Sequence, residues 1–334
     1  EMCIRDGAEF SEYNDIFLLH NSSGKLNGVK ESIFMENIKD YSGRWRWNMV
    51  NDFRPQSIEY SGIKCYPTAN YVNYYGMQNG YPINDMTKAD AESGYDPTHP
   101  WKNRDPRFYK TIMFDGVKWK STGGAGGTAE LFTGGRESEE ANEKKGCFTA
   151  YMNSKLCPQL MNTVDGYKEN NIMILSLMRL ADVYLMYAEA TAVGYNGPKG
   201  KAATYSLTAE EALNKIRERA GVAPVLDKFL GSTADFLSEL RRERAVELSF
   251  EGFRFIDLRR WMLLTQYPYT LKTKIEFDRA DPSDYNYDEP EENAIKNLRE
   301  VVLLERKYTD RHYWYPLPKK DVSMYEGFYQ NPGW

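Results

Sequence analysis

The chain has 334 residues, 41% of them hydrophobic and 27% charged, which is the make-up of a globular protein with a sizeable core. Its formal charge of −5 excludes a general nucleic-acid binder, which needs surplus positive charge against phosphates. No run approaches the roughly 20 apolar residues that a bilayer span requires. The opening "EMCIRDGAEF" carries charge where a signal peptide would be apolar, and it does not begin with Met, so the first part of the protein is expected to precede this chain. Tyr (25) and Trp (7) together outnumber Phe (15), which suits a face where rings pack at one end and stay wet at the other.

Residues 1–170 are rich in Gly, Asn, Tyr and Pro and predict short strands between long ordered loops. "ESIFMENI" (31–38) alternates as a strand does, and "RFYKTIMF" (107–114) reads as another. "STGGAGGTAELFTGG" (121–135) is a loop without the Gly-Lys-Ser/Thr ending of a phosphate-binding loop. Among four cysteines, Cys147 and Cys157 are close enough to close a short loop, but the count does not decide between a disulfide and two thiols. No Cys or His spacing matches a metal site.

From 172 the pattern becomes helical. Ile174, Met178, Ala181, Leu185, Ala188 and Ala192 form one stripe, and Leu177, Leu180, Tyr184 and Tyr187 a second, predicting a core helix over 172–190 buried on two sides. Thr208 and Glu211 form a capping box that opens a second helix, which Gly221 closes. Ser232 caps a third, with a bend expected at Gly252 and a short helix onward to Trp261. Residues 171–265 therefore predict consecutive amphipathic helices, a mostly α scaffold of helical hairpins comparable to tetratricopeptide repeats but without a clean 34-residue period. Residues 266–334 return to loop, with an acidic, solvated run at 278–293 and a Pro-punctuated closing strap. Asp281, Asp284 and Asp288 lack the ligand order and Gly of a calcium loop, so no metal is expected there.

The stretch "RRERAVELSFEGFRFIDLRRW" (241–261) is dense in charge. At helical spacing Glu239 reaches Arg242, Arg244 reaches Glu247, Glu251 reaches Arg254 and Asp257 reaches Arg260. That predicts a ladder of ion pairs along one side, with Leu240, Leu248, Phe253, Ile256 and Trp261 facing inward. Glu243 and Glu247 supply the two carboxylates that a glycoside hydrolase would need, but the ladder is the plainer account and makes this segment scaffold.

The same stretch resembles the most recognisable segment of the SusD/RagB family. "IFMENI", "PTANYVNYYGMQNGYPI", "WKNRDPRFYKTIMF", "LMRLADVYLMYAEA", "ALNKIRERAGV" and "YPLPKKDVSMYEGFYQNPGW" follow in that family's order, so the resemblance covers about residues 30–334. It implies one domain of this type, whose N-terminal part, with its lipidated cysteine and first helical repeats, is absent from this chain. Cys3 follows no apolar lipobox and is not that anchor. The resemblance further implies a non-catalytic lipoprotein at the outer-membrane surface. Such proteins capture glycans or oligopeptides and hand them to a SusC-like TonB-dependent transporter, without a cofactor. The other readings are a glycoside hydrolase and a helical-repeat adaptor with no small-molecule site.

Ligand residues do not transfer by motif, so they are read from the residues themselves. An extended "RWRWN" puts Trp45 and Trp47 on one side as a stacking face, with Arg44 and Asn48 as hydrogen-bonding neighbours. Tyr74, Tyr75 and Trp101 are the further aromatic candidates, with core packing beneath the loops as their competing role.

Overall fold

A computed structural model describes residues 10–17, 29–37, 66–118, 127–139, 146–156 and 174–334. Arg44, Trp45, Trp47 and Asn48 lie outside them, as does Cys157. The elements in chain order are α1 (Tyr13–Phe17), β1 (Ser32–Asn37), α2 (Ala69–Val72), α3 (Pro106–Thr111), β2 (Ile112–Met113), β3 (Met152–Asn153), β4 (Ile174–Arg179), α4 (Leu180–Gly194), α5 (Ala209–Ala220), α6 (Thr233–Glu247), α7 (Phe253–Arg260), β5 (Leu271–Arg279), β6 (Ile295–Glu305) and α8 (Lys319–Val322).

Helices α4 to α6 form a layer. Ala188, Ala192, Ala209 and Ala212 are fully buried where they meet, and their small side chains let the helices approach while Leu213, Phe236 and Leu240 fill the remaining space. The helix ends follow the sequence closely. Thr208 Oγ1 accepts from Glu211 N at 3.2 Å, and Glu211 Oε2 accepts from Thr208 N at 2.7 Å. Gly221 closes α5 at φ +73°, a left-handed position that glycine takes without a Cβ clash. Ser232 Oγ accepts from Asp235 N at 3.1 Å to open α6, and Gly252 breaks the chain between α6 and α7. No helix among the described residues is long and apolar enough to cross a membrane.

Three expectations are corrected. The helix expected from 172 starts at Leu180, because Ile174–Arg179 is strand β4, paired antiparallel with β1. Met178 faces Phe34 and Ser176 faces Met35, while the hydroxyls of Ser32 and Ser176 bond across the pair at 2.8 Å. The stretch 107–114 is helix before it is strand: the Asp105 carboxylate accepts from Arg107 N at 2.9 Å and Pro106 sits in the first turn, a helix start in the middle of "RDPRF". The segment after 265 contains the long antiparallel hairpin β5–β6, registered from Leu271↔Glu305 to Arg279↔Ile295.

The main core joins residues 69–152 to α6 and the β5–β6 hairpin. Val72, Tyr75, Trp101, Phe108, Phe114 and Tyr151 pack with Val246 of α6 and with Ile275, Phe277 and Ile295 of the hairpin. The loop-rich half is thus built on the hairpin and on the end of α6.

Candidate functional site

The charged stretch 241–261 is the centre of a buried network instead of a solvated ladder. Two of the four expected pairs form, Glu239–Arg242 and Asp257–Arg260. The others do not, because their partners come from elements far away in sequence. Arg244 bonds Asp182 and Asp257, both at 2.9 Å. Glu247, fully buried, receives Arg107 at 2.9 Å, Arg179 at 2.5 Å and also Arg219. Glu251 receives Lys155 at 2.7 Å and Arg179 at 2.8 Å. Ile256, expected to face inward, is 58% exposed.

These charges exclude Glu243 and Glu247 from acid catalysis. Burial pushes the Glu243 carboxyl up, but the guanidiniums of Arg107 and Arg217 outweigh it and hold it at about 2. Burial opposes ionisation of Glu247 too, and Arg219, Arg179 and Arg107 drive it well below the usual carboxylate range. A general acid needs a raised value and an open cleft; this pair has neither.

Of the aromatic candidates, Tyr75 and Trp101 are both fully buried and have no ring face open to a ligand. The Tyr75 hydroxyl donates to Ser249 Oγ at 2.7 Å. Trp101 packs its indole against a tilted Phe114 ring and edge-on to Phe277, at 5.0 and 5.3 Å between ring centres. Both rings are core, as a half poor in aliphatic side chains requires. Tyr74 is only half-buried, lies edge-on to Tyr71 at 5.6 Å, and has Arg254 over its ring at 4.7 Å.

The loops around these core rings form a solvent-open cleft of about 420 Å³, lined by Met77, Gln78, Asn79, Ser93, Gly94 and Asn103. Its position follows from local chemistry. Gly76 lets the chain fold back on itself, since a Cβ there would meet Tyr81 O at 2.3 Å. Asn79 then ties two loops together: its Nδ2 donates to Ser93 O at 2.9 Å and its Oδ1 accepts from Tyr81 N at 3.2 Å. Gln78 N donates to Asn103 O at 2.9 Å, drawing in the third wall.

Beneath that wall the Arg104 guanidinium, 2% exposed, donates to the carbonyls of Val72, Tyr75 and Pro100 at 3.1, 2.6 and 2.9 Å. It thereby satisfies the carbonyls of Tyr75 and Pro100 and adds a second donor to that of Val72, which also accepts from Tyr75 N at 3.1 Å. Asn103 itself is left-handed, at φ +54°, with its side chain exposed. The cleft thus offers the neutral amides of Gln78, Asn79 and Asn103, and no ionised side chain lines it. Sequence reading missed it, although the turn pair Asn79–Gly80 was a visible signal.

Among the described residues no group of three or more His, Cys, Asp or Glu side chains is placed to hold a metal. Asp281 is used in a turn with Ser283, and Asp288 pairs with Lys118. Cys147 is a buried free thiol whose Sγ lies 3.1 Å from Tyr151 O, and burial pushes its pKa up to about 11.

A helical layer thus carries a core of loops and hairpin, with an open amide-lined cleft among the loops. The profile of the SusD family matches residues 30–334, and the chain belongs to that family. No curated relative matches the sequence. A SusD-like protein from Bacteroides fragilis NCTC 9343 is 23% identical, aligned over 98% of this chain and 58% of its own, with a TM-score of 0.69. A SusD-like carbohydrate-binding protein from the same organism is 20% identical over 95% of this chain and 56% of its own, with a TM-score of 0.62. At these identities the likeness is one of fold, and the chain spans less than three fifths of either neighbour.

Proposed function

We propose that the protein is a non-catalytic cell-surface binder that captures glycans and passes them to a SusC-like TonB-dependent transporter. The observation that carries the reading is the neutral, amide-lined cleft of Gln78, Asn79 and Asn103 in a chain of the SusD family. Amides donate and accept at once, as a ring of hydroxyls requires, and an open concavity is where such groups recognise a ligand. The same cleft weighs against an adaptor with no small-molecule site. A neighbour described as carbohydrate-binding favours glycans over oligopeptides. In this reading α4 to α6 are a tetratricopeptide-like scaffold, the protein is anchored by lipid at the outer membrane, and Trp45 and Trp47 with Arg44 and Asn48 supply a stacking face.

A glycan array screened alongside a peptide library tests the reading, with variants to place the ligand. Gln78→Ala removes an exposed amide, and Asn103→Gly removes another while tolerating the left-handed backbone. Each is expected to weaken the best glycan about tenfold, the scale of one or two lost hydrogen bonds, with the melting temperature unchanged. Peptides binding where glycans do not, or full affinity in both variants, would overturn it. Trp45→Ala and Trp47→Ala separate platform from plug. A platform loses affinity with stability intact, whereas a core ring costs about 3–5 kcal/mol of stability.

A further inference from the structure

The outward row of β5 runs Lys272, Lys274, Glu276 and Asp278, opposite in direction to the buried Thr273, Ile275, Phe277 and Arg279. Most of that row is neutralised. Lys274 pairs with Glu276 at 2.9 Å and with Glu139 at 3.4 Å, Glu276 also holds Arg299 at 2.7 Å, and Asp278 accepts from Asn297 at 2.8 Å. Lys272 has no carboxylate partner among the described residues. What surrounds it is more positive charge. Arg306 N bonds Thr270 O at 3.0 Å, and Lys272 lies opposite Leu304, so register places Arg306 diagonally across the hairpin on the same face. Arg254, from the first turn of α7, lies over the rings of Tyr74 and Tyr269 at 4.7 and 5.5 Å. Its Nη1 is buried without a hydrogen-bond partner.

We propose that Arg254, Lys272 and Arg306, walled by Tyr74 and Tyr269, form a second binding site that takes an oxyanion, a carboxylate or sulfate ester, carried by a saccharide. None of the three cations has a carboxylate partner among the described residues: Arg306 Nη1 donates to the Tyr308 hydroxyl at 2.8 Å, and Arg254 keeps a buried N–H without a partner, which suits an anion better than a structural joint. Guanidinium and ammonium donors match oxyanions in geometry and charge, and tyrosine rings offer a face for the sugar. The state of Lys272 agrees with this. Burial lowers its pKa, and Arg306 and Arg254 lower it further, to about 8. The clustered charges therefore repel one another, and an anion would relieve that repulsion. The choice of a saccharide as carrier rests on the function proposed above, but the anion site itself does not.

Calorimetry at low salt with trigalacturonate, its methyl ester, a sulfated disaccharide and hexaglutamate, on wild type and Lys272→Met, tests the proposal. Wild type is expected to bind the acid or the sulfate at least about tenfold tighter than the ester, the strength of a charge-assisted contact. Lys272→Met should abolish that preference while melting higher than wild type, because it removes a repelled charge and keeps the apolar stem. Equal binding of acid and ester by wild type, or a preference that survives in the variant, overturns the proposal. Hexaglutamate bound in preference to every saccharide overturns the carrier. Should no saccharide bind at all, the glycan reading fails and inorganic sulfate decides the anion site alone. A melting temperature raised by sulfate in wild type and not in Lys272→Met sustains it, and no rise in wild type overturns it.

Discussion

Glu247→Ala is expected to lower the unfolding free energy by about 3–5 kcal/mol, the cost of leaving buried charges without their partner. Glu247 is fully buried, and Arg107, Arg179 and Arg219 converge on it from α3, from the end of β4 and from α5. Truncation leaves those guanidiniums repelling one another around a void, so the loss falls on the joints between elements and not on one helix. Urea denaturation of wild type and variant measures it, and a change below about 1 kcal/mol would return Glu247 to the class of exposed pairs.

Acid supplies a second readout of the same network. Glu239, Glu243, Glu247 and Glu251 are all lowered in the folded protein, with Glu243 at about 2. Their folded values lie below the ordinary 4.5, so their contribution is complete above that pH and is lost as pH falls through it toward 2. The melting temperature of wild type should therefore drop steeply between pH 5 and about pH 2, and that of Glu247→Ala less steeply.

The sequence made the helix ends legible because a cap is local: Thr208 with Glu211, Ser232 with Asp235, and Gly221 and Gly252 each declare themselves within a few residues. It also made the family legible, through the order of its segments. What it hid was set by distant partners. "ILSLMR" carries apolar residues at both helical and strand spacing, and only its pairing with β1 makes it a strand. The arginines of 241–261 have carboxylates at helical spacing, yet Arg179 and Arg107, 68 and 140 positions from Glu247, take the acids that local spacing had assigned to neighbours. The alternation "LKTKIEFDR" was readable as a strand, but its charges looked like loop until the buried row Thr273, Ile275 and Phe277 was seen. The candidate cleft was hidden for a related reason. Aromatic residues draw the eye as platforms, and Tyr75 and Trp101 are instead the core on which the amides of Gln78, Asn79 and Asn103 are mounted.

Arg104→Met is expected to cost both stability and ligand binding, because one side chain holds up the cleft. Arg104 has no carboxylate partner among its bonds; every donor it uses goes to a backbone carbonyl, of Val72, Tyr75, Gly76 or Pro100. Burial lowers its pKa below the usual arginine range, the mark of a cation kept in the interior by its hydrogen bonds. Its guanidinium also lies 4.6 Å from the centre of the Phe108 ring, so methionine would fill much of the space while removing every donor. Each buried carbonyl left unpaired costs about 1–3 kcal/mol, and two or more put the loss at about 3 kcal/mol or above. The Gly76 and Val72 carbonyls keep the N–H groups of Asp105 and Tyr75, so the carbonyls released are those of Tyr75, beside Gly76, and of Pro100; the residue replaced is the neighbour of Asn103, so two walls of the cleft lose their tie together. Arg104→Lys should fall between wild type and Arg104→Met, since a single ammonium cannot span the fork of carbonyls that a guanidinium reaches. Denaturation and glycan titration on the three proteins give the test. An Arg104→Met protein within about 1 kcal/mol of wild type, with glycan affinity retained, would mean that the cleft is held by its loops alone.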